Sequence, residues 1–286
     1  MKDVAMSPKS EIKDAFGDRM KLYEGIETDR MFMPMLPIVA RIDGRAFHTF
    51  TRGMDRPFDR EFHCAMVTTT QYLVRETGAC MGYTQSDEIT LAWYSPDYAS
   101  QVWFNGRIFK MVSQLSAQAT VMFNRCIAPK YQELLPTFDA RVWQVPNLVE
   151  GANVFLWREQ DATKNSVSMA ASIFYSHKEL MGKTGKQKQE MLFKKGINWN
   201  DYPAEYKRGQ FIQKRVTKRP FNAAELAMLP PKHNARKTPS LMVERTDVIP
   251  ILMPKFSTVT NRVDVVFHGA IPQETEMLPR PEGMLY

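Results

Sequence analysis

Two polar corners, each joined to an apolar run, constrain the fold of this chain more than any other feature. Residues 36–42 form an apolar run that stops at Asp43-Gly44, which is typical of a buried strand ending in a turn. Residues 79–83 and 89–94 flank a polar stretch that contains Asp87, which predicts a hairpin with an acidic tip. If the first strand lies beside this hairpin, the carboxylates of Asp43 and Asp87 meet at one edge of a sheet.

Carboxylates at the ends of two neighbouring strands are what a pair of Mg²⁺ ions requires. Such ions lie about 3.5–4 Å apart and are bridged by anionic oxygens on rigid elements. Gly44 has no side chain, so its carbonyl can approach a cation closely. Successive strand residues point to opposite faces, so we expect Asp87 to be a ligand and Glu88 a structural partner. Each motif alone is more often a plain turn, whereas the two together favour a metal site.

The order of the predicted elements indicates an α+β fold. Apolar residues at helical spacing predict one helix between Asp59 and Gly78 and another that opens at Asn105. A strand over residues 141–145 and a helix from Asn147 follow. Strand, helix, strand, strand, helix, strand is the order expected for a mainly antiparallel sheet with helices packed on one face.

Proline content divides the chain. Nine of the 18 prolines lie in residues 217–286, which predicts short helices, much loop and an occasional strand such as residues 262–267. We therefore predict a main domain over residues 1–216 and a C-terminal extension over residues 217–286.

Positive charge is concentrated in one segment. The chain carries a net charge of +7, and residues 183–219 hold 11 Lys or Arg against 3 Asp or Glu. Phe193, Trp199 and Tyr206 are interleaved with these charges. Basic side chains bind phosphates and aromatic rings stack on bases, so residues 183–219 are predicted to bind RNA. A solvated lysine-rich face is the alternative interpretation.

Sequence composition gives no sign of a membrane or of export. No apolar run approaches the roughly 18 residues of a membrane span. Residues 1–18 are mixed and charged, unlike a signal peptide. Three separate cysteines suggest a reducing compartment and no zinc site. We expect a cytoplasmic protein.

The motifs resemble those of the tRNA-His guanylyltransferase family and its tRNA-repair relatives, the 3′-to-5′ polymerases. The similarity covers about residues 15–215. It is carried by Gly17–Lys21, Arg41–His48, Arg56–Asp59, Tyr83–Glu88, Lys110 with Ser113 and Gln118, Phe138–Arg141, Trp157-Arg158 with Asp161, and Tyr206–Gly209.

The resemblance implies a fold like the palm of ordinary polymerases, with Asp43 and Asp87 as catalytic residues. It implies that Asp43, the Gly44 carbonyl and Asp87 hold two Mg²⁺ ions, and that GTP, ATP and other nucleoside triphosphates are substrates. The positions matching nucleotide contacts are Arg45, Ala46, Phe47, His48, Arg56, Asp59, Ser86, Arg107 and Lys110. Those assigned to RNA are Arg158, Asn165, Lys207 and Arg208. The implied partner is tRNA or a tRNA-like RNA, and subunits of the family associate, often as tetramers.

One departure from the family pattern changes the predicted substrate. Members that read tRNA-His carry His-Ile-Asn-Asn where this chain has Thr163-Lys164-Asn165-Ser166, and Ala140 replaces a glycine. The Asn-Ser form resembles relatives that repair 5′-truncated tRNAs. The resemblance therefore implies templated 3′-to-5′ addition to an RNA 5′ end, after ATP or GTP activates the 5′-phosphate. The natural RNA and the number of nucleotides added stay open.

Two other functions are compatible with parts of the sequence. A different palm-type nucleotidyl enzyme, such as a nucleotide cyclase, would share the metal site but would not need the basic segment. An RNA-binding module without catalysis would need that segment alone, and the intact Asp43 and Asp87 argue against it.

Overall fold

Six antiparallel strands form the centre of the molecule. The computed structural model describes residues 14–100, 102–238 and 240–274, so the expectations for residues 1–13 and 275–286 lie outside it. The spatial order of the strands is β4-β1-β3-β2-β5-β6. They are β1 (Ile38–Gly44), β2 (Met81–Gln85), β3 (Glu88–Trp93), β4 (Phe138–Gln144), β5 (Gln210–Pro220) and β6 (Met242–Ile251). The predicted α+β class and antiparallel sheet are confirmed.

The helices of the described residues vary widely in length, from four residues to 24. They are α1 (Ala15–Thr28), α2 (Phe47–Phe50), α3 (Arg60–Thr77), α4 (Ile108–Cys126), α5 (Pro129–Gln132), α6 (Leu148–Ala171), α7 (His177–Leu180), α8 (Gly185–Phe193), α9 (Ala204–Arg208), α10 (Ala223–Met228), α11 (Asn234–Lys237) and α12 (Arg262–Phe267). In the ranges that the structure covers, none of them is long and apolar enough to cross a membrane.

Helices cover both faces of the sheet, whereas the sequence predicted helices on one face only. On β2, Gly82 faces α3, because a Cβ added there would lie 2.6 Å from a methyl carbon of Val74. Its neighbours Met81 and Tyr83 point the other way and join a buried cluster with Phe155 of α6. The helices α3 and α4 pack on the first face, and α6 and α12 pack on the second.

Several predicted helix ends are confirmed by their capping contacts. The Asp59 carboxylate accepts a hydrogen bond from the Phe62 N–H at 2.8 Å, and Asn147 caps α6 in the same way. Gly78 ends α3 with a φ of 69°, the left-handed conformation that glycine adopts at little cost. The predicted start at Asn105 is wrong, because Asn105 has a φ of 54° in a tight turn before α4.

The C-terminal part contains more regular structure than the prolines predict. Residues 214–220 of β5 pair with residues 242–248 of β6 beyond the end of β2, forming a two-stranded arm. Pro250 is tolerated because β6 is the edge strand, where one row of backbone groups needs no partner. The predicted strand over residues 262–267 is wrong: they form α12, whose Phe267 packs against Gly151 of α6. The predicted boundary at residue 216 falls within β5, and the division into domains stays a prediction.

Candidate active site

The two acidic motifs lie side by side in the sheet. Antiparallel pairing of β1 with β3 sets Asp43 opposite Glu88. The Gly44 N–H donates a hydrogen bond to the Asp87 carbonyl at 3.1 Å. Ser86, with a φ of 51°, makes the tight turn that connects β2 to β3. We call Asp43, Gly44 and Asp87 the acidic corner.

The electrostatics of the acidic corner favour a bound cation. Burial raises the pKa of Asp87 to about 6, against the hydrogen bonds from its own backbone and from Ser86, and the Asp43 charge raises it further. Within the described ranges, no group of three or more His, Cys, Asp or Glu side chains is placed to hold a metal ion. A cation in the corner would therefore depend on two carboxylates and the Gly44 carbonyl, which are the hard oxygen ligands that Mg²⁺ takes.

Glu88 is neutralised by arginines, in agreement with a structural role. Its carboxylate lies 3.5 Å from Nε of Arg41 and contacts Nη2 of Arg158. Arg158 is also 3.0 Å from the Asp161 carboxylate, and its guanidinium lies over the Trp157 ring. Only 6% of the Arg158 side chain is exposed. The prediction that Arg158 contacts RNA is therefore wrong, because its guanidinium is occupied inside the protein.

The loop after β1 is fixed by a buried phenylalanine. A Cβ at Gly44 would lie 2.4 Å from the Phe47 ring, whose centroid is 4.9 Å from that of Phe138. Ala46 has a φ of 57°, and among the described residues no acceptor is hydrogen-bonded to the amides of Ala46, Phe47 or His48. Arg45, Ala46 and His48 are exposed, whereas the Phe47 side chain belongs to the core. The loop can therefore offer Phe47 only through its backbone.

A pocket opens beside the acidic corner and contains three of the predicted nucleotide contacts. Arg56, Asp59 and Ser86 line a space of about 620 Å³, counted with its open mouth. The Asp59 oxygens already accept from the N–H groups of Phe62 and Asp55, at 2.8 and 3.1 Å, so Asp59 shapes the pocket as a helix cap.

Aromatic residues that the sequence analysis did not assign to the nucleotide complete this pocket. The rings of Phe58 and Tyr206 stack, with centroids 4.8 Å apart and planes 4° from parallel. His63 touches the edge of Tyr206, and burial lowers the His63 pKa although Glu205 opposes this. Phe58 and His63 flank the first turn of α3. The predicted helix cap at Asp59 therefore marks the part of the chain in which they lie.

Two predicted phosphate contacts lie elsewhere. Arg107 and Lys110 line a second pocket together with Gly78. Gly78 follows Thr77, whose carbonyl accepts from Nε1 of Trp93 at the far end of β3. A strand rises about 3.4 Å per residue, so the five steps from Glu88 to Trp93 span about 17 Å. Within one chain these cations are therefore not brought to the acidic corner, and their contact with phosphate stays a prediction.

The remaining RNA positions lie around the end of α6 and α9. Asn165 is exposed and donates to Asp161 at 3.2 Å. Lys207 lies 5.3 Å from the centre of the Trp199 ring, and Nε of Arg208 lies 3.5 Å from the Glu159 carboxylate. These side chains are therefore held in place by the protein.

Buried hydrogen bonds join this region to the hairpin. The Tyr83 hydroxyl donates to the Arg208 carbonyl at 2.7 Å and lies against Gly209, where a Cβ would be only 2.4 Å away. Ser166 is fully buried, donates to the Lys207 carbonyl at 3.1 Å and accepts from Nε1 of Trp199 at 3.2 Å. The strand that leads to the acidic corner is thus joined directly to α9.

Comparisons with known proteins agree with this architecture. The family model for tRNAHis guanylyltransferase matches residues 17–146. The chain is 31% identical to an uncharacterized protein of Acanthamoeba polyphaga mimivirus, over 72% of this chain and 80% of that protein. It is 30% identical to the tRNA(His) guanylyltransferase of Schizosaccharomyces pombe, over 66% of this chain and 77% of that protein.

Solved structures give the same picture. A bacterial tRNA(His) guanylyltransferase-like protein in complex with ATP is 40% identical and superposes with a TM-score of 0.66, covering 70% of this chain and 88% of that chain. One in complex with GTP is 33% identical with a TM-score of 0.66, covering 85% of this chain and 94% of that chain.

Proposed function

The chain belongs to the tRNA(His) guanylyltransferase family, and from this premise we propose that its acidic corner catalyses 3′-to-5′ nucleotide addition at the 5′ end of tRNA. The observation that carries the proposal is the pairing of Asp43 with Glu88, which sets Gly44 against Asp87 where β1 ends and β3 begins. An open pocket lined by Arg56, Asp59 and the stacked rings of Phe58 and Tyr206 adjoins these residues at Ser86.

The residues of the acidic corner fit a site for two Mg²⁺ ions, held by Asp43, the Gly44 carbonyl and Asp87. When bound, the ions would neutralise the triphosphate and orient the attacking hydroxyl. The chain itself contributes position and hydrogen bonds. The amides of Ala46, Phe47 and His48 are available to triphosphate oxygens beside the corner. Catalysis needs no nucleophilic side chain, because positioning and charge neutralisation suffice.

The reaction has two transfers at this site. In the first, the RNA 5′-monophosphate attacks the α-phosphate of ATP or GTP, so that a nucleotidyl group is transferred and pyrophosphate leaves. In the second, the 3′-hydroxyl of the incoming nucleotide attacks the activated 5′-phosphate, and the nucleoside monophosphate leaves. Arg56, Asp59 and the stacked rings of Phe58 and Tyr206 would hold the activating nucleotide. Pairing with the opposite RNA strand would select the base that is added.

The natural substrate is proposed to be a truncated tRNA without a strict requirement for tRNA-His. The Thr163 hydroxyl donates to the Glu159 carbonyl at 2.9 Å, and Ser166 is buried. Only Lys164 and Asn165 of this segment are exposed to an RNA. The first and last positions of the segment therefore support the helix. None of its four residues is the histidine by which the resemblance expects tRNA-His to be read.

We infer that the chain forms a homo-oligomer through α1, in keeping with the tetramers that the resemblance implies. None of the residues of α1 is buried, although four of them are large and apolar. Each of these side chains is more than half exposed: Phe16, Leu22, Tyr23 and Ile26. Met33 and Met35 add apolar surface after the helix. A second copy that covered this surface would remove it from water. The variant Leu22→Glu should lower the mass measured by sedimentation while leaving the circular dichroism spectrum unchanged.

The function is tested with labelled GTP, Mg²⁺ and a tRNA that lacks its first 5′ nucleotide. Label should enter the RNA 5′ end with the wild type. Asp43→Asn and Asp87→Asn should each lower the rate about a thousandfold or more, while RNA binding in a gel-shift assay is unchanged. Glu244→Gln makes the same chemical change at an exposed carboxylate on β6 and should leave the rate unchanged. A cyclic nucleotide product, or RNA binding without any product, would contradict the proposal.

A further inference from the structure

The last residue of the basic helix α8, Phe193, exposes its aromatic ring to solvent. Phe193 is 73% exposed, whereas its neighbour Leu192 is fully buried against Ala170 and Ala171 of α6. Leu192 therefore attaches α8 to the rest of the protein, and the Phe193 ring is not needed for packing. Exposing a phenylalanine ring costs free energy that burial would recover, so contact with a ligand would be favourable here.

Phe193 forms one wall of a pocket between α8 and the following turn. Ile197 and Trp199 form the apolar remainder of the lining. The indole of Trp199 is held firmly, because its Nε1–H donates to the buried Ser166 hydroxyl and Lys207 lies 5.3 Å from the ring centre. A flat ligand would therefore meet a fixed aromatic surface and an exposed one.

Two unpaired cations stand at the mouth of this pocket. Lys186 and Lys194 line it and form no salt bridge with any described residue, and Glu190 is the one carboxylate in the lining. Other lysines of the segment are already engaged. Lys188 donates to the Ser168 hydroxyl at 2.9 Å, and Lys195 lies over the Tyr175 ring. Among the lysines of residues 183–219 that have no side-chain partner in the described residues, Lys186 and Lys194 are the two that line this pocket.

We propose that this pocket takes one unstacked nucleobase of the RNA substrate. Phe193 and Trp199 stack on the base, and Lys186 and Lys194 bind the phosphates on either side of it. Alternation of aromatic rings and lysines is the arrangement by which proteins bind single-stranded nucleic acid. Protein interfaces are instead depleted of lysine, which favours RNA over a second protein. The inference rests on the proposed function only for the identity of the RNA.

The test compares RNA probes with and without bases on the full-length protein. A labelled uridine hexamer and an abasic hexamer of the same length are titrated by fluorescence anisotropy. Phe193→Ala should weaken binding of the uridine hexamer about tenfold, while the abasic hexamer binds the variant and the wild type alike. Phe193→Tyr keeps an aromatic ring and should stay within twofold of the wild type. Phe193→Leu keeps only the apolar surface and should bind nearly as weakly as Phe193→Ala.

The matched control removes an exposed aromatic from another part of the surface. Tyr98 is 76% exposed, so Tyr98→Ala should leave both affinities unchanged. Equal affinity of wild type and Phe193→Ala for the uridine hexamer would overturn the inference. A lower oligomeric mass of Phe193→Ala with unchanged RNA binding would also overturn it, by making the ring a subunit contact. If the wild type discriminated the two probes but added no nucleotide to tRNA, the proposed function alone would fail.

Discussion

The acidic corner and the basic helix α8 carry opposite charges and are built in opposite ways. Asp87 is half-buried, its carbonyl is bonded to Gly44, and the neighbouring Glu88 is closed off by two arginines. Lys186 lies on α8 and Lys194 follows its last residue; both are exposed, and the helix is attached through Leu192. Chemistry on a phosphate needs ligands at fixed positions, whereas attraction of an RNA backbone is a sum of loosely placed charges. Substitutions should therefore act abruptly in the corner and gradually on α8.

The largest effect on stability should come from the buried ion pair behind the acidic corner. Arg158→Met leaves the Glu88 carboxylate without its most buried partner, so the free energy of unfolding should fall by about 3 kcal/mol. Urea denaturation measures this change. The double variant Glu88→Gln with Arg158→Met should recover part of the loss. Arg141→Met removes an arginine that is 57% exposed beside Asp139 and should cost under about 0.5 kcal/mol. Equal losses at both sites would remove the contrast.

A single methyl group at Gly44 should give the next largest effect. The new Cβ would overlap the Phe47 ring. That ring cannot shift easily because it is packed against Phe123 in the core. Gly44→Ala should lower the free energy of unfolding by about 1–3 kcal/mol and reduce nucleotide addition more than tenfold. Gly185→Ala, on α8 with open space around its Cα, should change neither quantity. Full activity of Gly44→Ala would show that the loop after β1 is not fixed in the way described.

The acidic corner should make stability depend on pH when no cation is bound. The Asp87 pKa is raised by burial from 3.8 to about 6, so the folded state retains a proton that the unfolded state has lost. This contribution is fully present below pH 4 and is lost as the pH rises through 6. In EDTA, the wild type should lose about 1–2 kcal/mol of stability relative to Asp87→Asn between pH 4 and 7.

Added Mg²⁺ should restore this loss in the wild type alone. Burial also raises the pKa of Glu159 to about 7, but Glu159 is present in both proteins and cancels in the difference. Parallel pH curves for the wild type and Asp87→Asn would contradict the electrostatics assigned to the corner.

The smallest effects should come from single lysines of α8. Lys186→Gln should weaken RNA binding a few-fold and reduce the slope of log affinity against log salt by about 0.7–1. Unfolding free energy should change by less than about 0.5 kcal/mol, because the side chain is exposed. Lys232→Gln, an equal charge change beyond the arm of β5 and β6, serves as the control. A salt slope that Lys186→Gln left unchanged would remove this helix from the RNA interface.

Local signals in the sequence were sufficient for much of the fold and for the two turns that carry Asp43 and Asp87. The caps at Asp59 and Asn147 and the glycine at 78 are decided by neighbouring residues, so the helix ends they mark could be predicted. The pairing of β1 with β3 joins distant parts of the chain and was only a condition of the sequence argument. The hairpin of β2 and β3 that carries Asp87 could be predicted, because strands that share a short connection are usually neighbours. These features depend on contacts close in the chain.

Features that depend on distant contacts could not be predicted. Residues 262–267 contain three valine and phenylalanine side chains in succession, a run that suits a strand until α6 provides a surface for a helix. Arg158 looks like any surface arginine until Glu88, 70 residues away, approaches it. Arg107 and Lys110 match family positions, but nothing local reveals which end of the sheet they occupy.

The packing of the Tyr83 ring against Gly209 limits how segments of this protein can be exchanged with those of its relatives. Gly209 has a φ of 77°, and a side chain there would displace the Tyr83 hydroxyl from the Arg208 carbonyl. A chimera that imports the basic segment from another member must therefore carry a glycine at this junction and a tyrosine in the hairpin. Transplanting the segment alone would exchange the RNA-binding surface and misalign the strand that leads to the catalytic carboxylates.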